Sequence, residues 1–152
     1  MAERVLGLAA KELGDLPGAQ AHLEAAVGLA RRGGLPAREG EARMSLSFVL
    51  ALRGQTARAL GEAERAAGLL SGDDVARVEA QKALILQRLG RLDEALRSYG
   101  VAADTFARLG QRAEAALVHT NRGVLHAYRG DFPAAEADLA EAQATYVELR
   151  LE

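Results

Sequence analysis

Three histidines and four scattered serines are the side chains in this sequence whose types could carry chemistry. His119 and His126 stand seven residues apart, two turns of a helix, and so share one face. Two imidazoles placed that way can hold a metal ion or relay a proton, but a metal site needs at least a third ligand close by. Arg122 and Gly123 follow His119 at the next helical steps, and Arg129 and Gly130 follow His126, so no ligand set forms. Packing against a neighbouring helix is the expected task of both. His22, between Gln20 and Glu24, reads as a solvated surface residue. Ser45, Ser47, Ser71 and Ser98 have no base partner in any recognisable pattern. Gly-x-Ser-x-Gly, Walker and His-Glu-x-x-His motifs are all missing. The expectation is a protein that is not an enzyme and takes no cofactor or metal.

The elements that would position any site are helices. Hydrophobic residues make up 49% of the 152, yet aromatics are 4% and Trp is absent. A core of Ala and Leu suits close helix packing, whereas a sheet would draw on Val, Ile, Thr and aromatics. Nineteen basic and 21 acidic residues are interspersed along the chain, giving a net charge of −2. That leaves no electrostatic footprint for nucleic acid or an anionic membrane. Cysteine is absent, which excludes disulfides and thiolate metal sites. Residues 1–30 lack a basic stretch followed by an apolar one, and no apolar run approaches the ~18 residues of a membrane span. A soluble, cytoplasmic protein is expected.

The chain repeats itself. Gly14, Gly54, Gly90 and Gly130 fall at nearly equal intervals. Five residues after each stands an alanine (Ala19, Ala59, Ala95, Ala135), and seven further on another (Ala26, Ala66, Ala102, Ala142). Seven residues before each glycine the residue is small: Gly7, Ser47, Ala83 and Gly123. Asp15, Arg91 and Asp131 follow their glycines, and then Leu16, Leu92 and Phe132. Such a turn joins two antiparallel helices, and the small residues mark where the helices come closest, since a larger side chain would force them apart. Gly28 and Gly68, in similar strings one such interval apart, are expected to do the same between neighbouring pairs.

Helices are therefore predicted over 2–13, 17–32, 37–53, 56–70, 74–89, 92–109, 112–129 and 132–150. Pro17 and Pro133 fall in a first turn, where the missing N–H is no loss. Gly33-Gly34-Leu35-Pro36, Ser71-Gly72-Asp73-Asp74 and Gly110 separate the pairs, with Asp73 expected as an N-cap and Asp131 as another. In the fifth helix Val75, Val78, Ile85, Leu86 and Leu89 are expected on one face, with Arg77, Lys82 and Arg88 off it.

A helix pair with a small residue in its first helix, a Gly-Asp/Arg-Leu/Phe turn and two alanines seven apart in its second resembles the tetratricopeptide repeat (TPR). The resemblance covers all four pairs, roughly 1–33, 37–71, 73–109 and 112–150, with the pair around Gly54 departing most. Tyr99, Leu23 and Leu139 match the family's large residue in the middle of the second helix, and Ala63 does not. The family's closing proline is missing and the spacing exceeds its usual repeat of about 34 residues. The chain therefore looks like the long-helix repeats of bacterial regulators. Its Ala/Arg/Gly/Leu style also resembles repeat regions of actinobacterial CHAT-domain proteins, although no protease module is present.

The resemblance implies an all-α fold, a right-handed α-solenoid of four antiparallel helix pairs in one domain spanning 1–152. It also implies a scaffold that binds a protein or peptide in a concave groove lined by the first helices. By that resemblance the groove takes Met44, Phe48 and Leu52 from the second pair, Arg77, Leu84, Gln87 and Arg88 from the third, and Thr120, Val124 and Tyr128 from the fourth. For Phe48 and Leu52 the alternative is packing on a neighbouring helix. The family's Lys/Asn clamp for a peptide carboxylate is unmatched, because Ala80 and Leu84 stand there. Leu139, Ala142, Tyr146 and Leu149 keep the last helix apolar up to Leu151-Glu152. That ending points to a fragment of a longer chain, or to self-association through this helix as part of a larger signalling or CHAT protein.

Overall fold

A glycine stands at every reversal of the chain, each with positive φ: Gly14, Gly34, Gly54, Gly72, Gly90, Gly110 and Gly130. The structure, a computed structural model, describes residues 1–150. These form eight helices and no strand: α1 (Ala2–Glu12), α2 (Leu16–Arg32), α3 (Pro36–Leu52), α4 (Thr56–Leu69), α5 (Asp73–Arg88), α6 (Leu92–Arg108), α7 (Arg112–Tyr128) and α8 (Phe132–Leu149). Each bound falls within one residue of the expectation. Leu151 and Glu152, on which the expectation about the chain's ending rested, lie outside the described residues.

The turn at Gly130 explains why the bounds were readable. Its φ of 82° lets the Gly130 N–H donate to the Ala127 carbonyl at 3.0 Å and the Asp131 N–H to that of His126 at 2.9 Å, a Schellman ending. Asp131 then caps α8 by accepting from the Ala134 N–H at 3.3 Å, with Pro133 in the first turn. Asp15 does the same for α2, accepting from Gly18 at 2.9 Å. Two turns between pairs, at Gly34 and Gly110, are built the same way: at Gly110 the N–H donates to Ala107 at 3.1 Å, and that of Gln111 to Phe106 at 2.9 Å. Gly34 and Gly110 are thus the same device as Gly14 and Gly130, where the sequence showed only breaks. Asp73 is a correction: α5 begins with it, so its charge lies in the first turn instead of at the cap.

Two compact units result, Met1–Asp74 and Val75–Glu152. In the first, α1 packs on α2, α2 on α3 and α3 on α4, and α1 also reaches α3. In the second, α6 packs on α7 and α7 on α8. Tyr99, fully buried on α6, meets α5 through its hydroxyl, which donates to Gln87 Oε1 at 3.4 Å.

Counting from each turn glycine shows what sets the helix separation. The alanines at +5 and +12 are all buried, so the second helix of every pair offers a flat strip. Opposite lies a trade between −7 and +9. Where +9 is leucine, −7 is glycine: a Cβ on Gly7 would stand 2.7 Å from Leu23 Cγ, and one on Gly123 2.9 Å from Leu139 Cγ. Where +9 is Ala63, −7 is Ser47, whose hydroxyl donates to the Ala59 carbonyl at 2.8 Å. Ala83 faces the Tyr99 position in the third pair, and both are buried.

Gly28 and Gly68 do not mark close approaches. A Cβ on Gly68 would meet nothing within 4 Å, and one on Gly28 would meet only the Arg32 side chain. The tight crossing is Gly40, where a Cβ would lie 2.7 Å from Leu70 Cγ, because the chain leaves α4 extended at Leu70 and folds back on α3. On α5 the buried face is Ala76, Val78, Ala83, Ile85 and Leu86; Val75 is half-buried, and Leu89 is exposed because it belongs to the turn.

Candidate functional site

Side chains at −10, −6 and −2 share one face of a first helix, being four residues apart. The −6 position is apolar in every pair: Leu8, Phe48, Leu84 and Val124. Leu8 is half-buried and the other three are exposed, although they lie in the body of long, well-packed helices. Leu52 and Tyr128 extend the row at −2 and are exposed as well, Tyr128 at 81%. Phe48 and Leu52 therefore do not bury themselves on a neighbouring helix, although Lys11 of α1 places its ammonium 5.1 Å from the Phe48 ring centroid. Arg77 and Arg88 are exposed on α5.

Three of the expected groove residues sit deeper. Met44 is half-buried. Gln87 accepts from Tyr99, and the Thr120 hydroxyl donates to the Ala116 carbonyl at 3.0 Å and lies 3.5 Å from Tyr146 Oη. In the first unit Met44, Phe48 and Leu52 follow one another on α3. In the second, Leu84 and Arg88 stand on α5, and Val124 and Tyr128 on α7. Leu117 of α7 is a further exposed apolar residue that the sequence reading missed.

A second set of side chains was missed altogether: in three of the four pairs a polar contact ties −11 of the first helix to +8 of its partner. His22 Nδ1 lies 2.8 Å from Glu3 Oε2, so His22 is half-buried and bridges α1 and α2 instead of standing free in solvent. Arg43 is buried and donates to Glu39 Oε1 from Nε at 2.8 Å and to Glu62 Oε2 at 2.6 Å. His119 Nδ1 lies 3.0 Å from Asp138 Oδ1. In the third pair Glu79 stands opposite Ser98 in register and pairs with Lys82 at 2.9 Å. The signal was available: each bonded pair is 19 residues apart across its turn glycine.

Asp138 is the most heavily engaged of these. Arg122 grips it with two hydrogen bonds, Nε to Oδ2 at 2.7 Å and a terminal nitrogen to Oδ1 at 2.6 Å, and His126 Nε2 approaches to 3.9 Å. Burial pushes the Asp138 carboxyl up, but the hydrogen bonds and charges of Arg122 and His119 together outweigh it and hold the group below its usual value. Arg122 is held above its own by Asp138. Both histidines expected to pack between helices do so, as polar groups converging on one carboxylate. Among the described residues no three His, Cys, Asp or Glu side chains are arranged to hold a metal ion. A shallow pocket of about 110 Å³ lies in the first unit, where Arg4, Leu29, Leu35 and Arg38 meet at the ends of α1, α2 and α3. No described helix is long and apolar enough to cross a membrane.

Antiparallel helix pairs joined by glycine turns, with small residues at each crossing, define an all-α, TPR-like helical-repeat fold of the α-solenoid class. No family model and no curated protein matches the sequence. Among solved structures, BtubC (BKLC) from P. vanneervenii matches with a TM-score of 0.90 at 21% identity, over 97% of this chain and 63% of that one. The chain thus spans 63% of BtubC's length. MamA matches with a TM-score of 0.65 at 14% identity, over 95% of this chain and 96% of that one. At these identities the likeness is one of fold.

Proposed function

We propose that the chain is a non-catalytic interaction module which binds a protein or peptide segment along its first helices. The observation that carries this reading is the row at −6. Phe48, Leu84 and Val124 keep about half of their surface in water, and a partner's apolar side chains that covered the rest would gain roughly 0.7–1.5 kcal/mol at each. Arg88 and Arg77 beside Leu84 favour a segment that carries acidic residues among apolar ones. Binding on this reading is reversible, uses no cofactor, and involves neither nucleic acid nor a membrane.

The test is selection from a random peptide library, followed by affinity measurement on the native chain and on the triple variant Phe48→Ala, Arg88→Ala, Tyr128→Ala. Selected peptides should share apolar and acidic positions and bind the variant at least about tenfold more weakly, a loss of ~1.4 kcal/mol. Equal affinity for both chains would place the binding surface elsewhere. A self-associating segment is the second reading, favoured by Leu139 and Val147, apolar residues exposed on α8.

A further inference from the structure

Three large apolar side chains of α7 fall in one line: Leu117, Val124 and Tyr128, at −13, −6 and −2, exposed by 57%, 56% and 81%. Steps of seven and four residues come close to whole turns of a helix, so the three project from a single stripe. On α5 the same positions are Arg77, Leu84 and Arg88, all exposed. Both helices pack on α6, α5 through the Gln87–Tyr99 hydrogen bond and α7 directly. The two rows thus stand on one side of the second unit, as α1 and α3 stand together on α2 in the first. Their openness belongs to the position and not to a place in the chain. Phe48 and Leu52, at −6 and −2, are exposed on α3 as well, a helix that packs on α2 and α4 and reaches α1. No acidic residue stands at −13, −10, −6 or −2 of α5 or α7, so the surface is apolar with positive charge on its α5 side.

The spacing of the apolar row selects the shape of what covers it. Leu117 and Val124 are about 10.5 Å apart along the helix axis, and Val124 and Tyr128 about 6 Å. An extended segment advances ~3.3 Å per residue and returns to one face every second residue, so a step of about 10.5 Å takes three residues and lands on its opposite face. Such a segment covers Val124 and Tyr128 but misses Leu117. A helix laid alongside α7 repeats the same steps, and its side chains at i, i+7 and i+11 meet all three. Arg77 and Arg88 flank Leu84 with those steps too, so acids eleven residues apart on one flank of that helix meet both. We infer, on the footing that the first helices form the binding face, that the segment bound by the second unit is an amphipathic α-helix. Its apolar seam lies on α7 and its acidic flank on α5.

Peptides of about 16 residues, long enough for ~24 Å of helix, selected from a random library on the whole chain, test this. Their affinity should fall at least about tenfold on Val124→Glu and on Leu117→Glu, exposed substitutions that should leave the chain's helical circular dichroism unchanged. The peptides should carry apolar residues seven and four apart and acids eleven apart. They should gain helical circular dichroism on binding, and lose at least about tenfold in affinity when a central residue becomes proline. Peptides that need Val124 yet tolerate the proline, or whose apolar residues alternate, are extended; they overturn the helix and leave the first-helix face as the binding surface. So do peptides indifferent to Val124→Glu but weakened by Phe48→Glu, which bind the first unit instead. Peptides indifferent to both, or a library that yields no binder, overturn the helix and the binding face together. Helical peptides without acid enrichment, bound equally well in high salt, overturn the acidic flank on α5.

Discussion

Replacing Asp138 with alanine leaves the Arg122 guanidinium beside the helix interface without its two acceptors, and His119 without its partner. Breaking a buried ion pair by removing one member costs ~3–5 kcal/mol, because the surviving charge stays desolvated. The Arg122 side chain keeps 24% of its exposure, so water recovers part of the loss, and the expected cost is ~2–3 kcal/mol. In a chain of this length that lowers Tm by about 5–10 °C. Urea unfolding followed by helical circular dichroism measures it. The double variant Asp138→Leu, Arg122→Met removes both charges and should cost less than Asp138→Ala alone, since no unpaired guanidinium remains. The pH dependence gives a second readout. The Asp138 carboxyl is held below its usual value in the folded chain, so its contribution is present above the unfolded pKa of ~3.9 and lost as pH falls through the lower folded value. Asp138→Asn should flatten the stability profile below about pH 4. A cost under ~0.5 kcal/mol for Asp138→Ala, typical of an exposed pair, or a double variant as unstable as that single one, would refute the reasoning.

Burial holds the Tyr99 phenol neutral and raises its pKa to about 12. Its contribution is complete below the unfolded value of ~10 and falls away as pH rises toward 12, a loss that Tyr99→Phe should remove from the alkaline limb of a stability profile. Arg43→Ala should cost ~2–4 kcal/mol by leaving Glu39 and Glu62 facing each other, and Arg43→Lys should recover little of it, because one ammonium cannot bridge both carboxylates as the guanidinium does; urea unfolding reads both. Gly61→Ala should stabilise by ~0.5–1 kcal/mol, since its Cβ meets nothing within 4 Å, and thermal melting should show a rise in Tm. Gly7→Ala should destabilise by ~1–3 kcal/mol despite the same propensity gain, because its Cβ would press on Leu23, which has no exposed side to yield toward.

The helices were legible because their ends are written locally. A glycine in the left-handed region, an aspartate cap and a proline in the first turn need only a few neighbouring residues, and Gly130-Asp131-Phe132-Pro133 shows all of this in one string. The small residues at −7 were legible because the repeat set them side by side. Gly28 and Gly68 were misread because a glycine in a helix looks the same whether it faces a neighbour or solvent. Gly40 was missed because its partner Leu70 reaches it only through the extended exit from α4. The ion pairs escaped for a similar reason: His22, Arg43 and Asp138 fall at ordinary surface-like places in the one-dimensional pattern. Only the constant separation across each hairpin joins them to their partners. The exposed row at −6 could be placed on a face from sequence, but its exposure depends on which neighbouring helix covers that face.

The polarity of those cross-hairpin pairs carries the remaining logic of the fold. The acid stands on the first helix in Glu3–His22 and on the second in Arg43–Glu62 and His119–Asp138. Four helix pairs with nearly interchangeable alanine strips could pair wrongly, since packing α1 on α4 or on α8 would satisfy the same small-residue crossing. Either exchange would set Glu3 against Glu62 or Asp138, and two carboxylates brought together in a half-buried seam repel and stay desolvated. Moving α5 onto α8 would do likewise with Glu79. The polar seam therefore disfavours pairings that bring two acids together, while leaving α3 and α7, which both carry a base at −11, to be told apart by packing. This selection operates entirely inside each hairpin. It does not involve Leu52 on α3, Leu84 on α5, or Val124 and Tyr128 on α7, whose exposure is what the proposed partner would use.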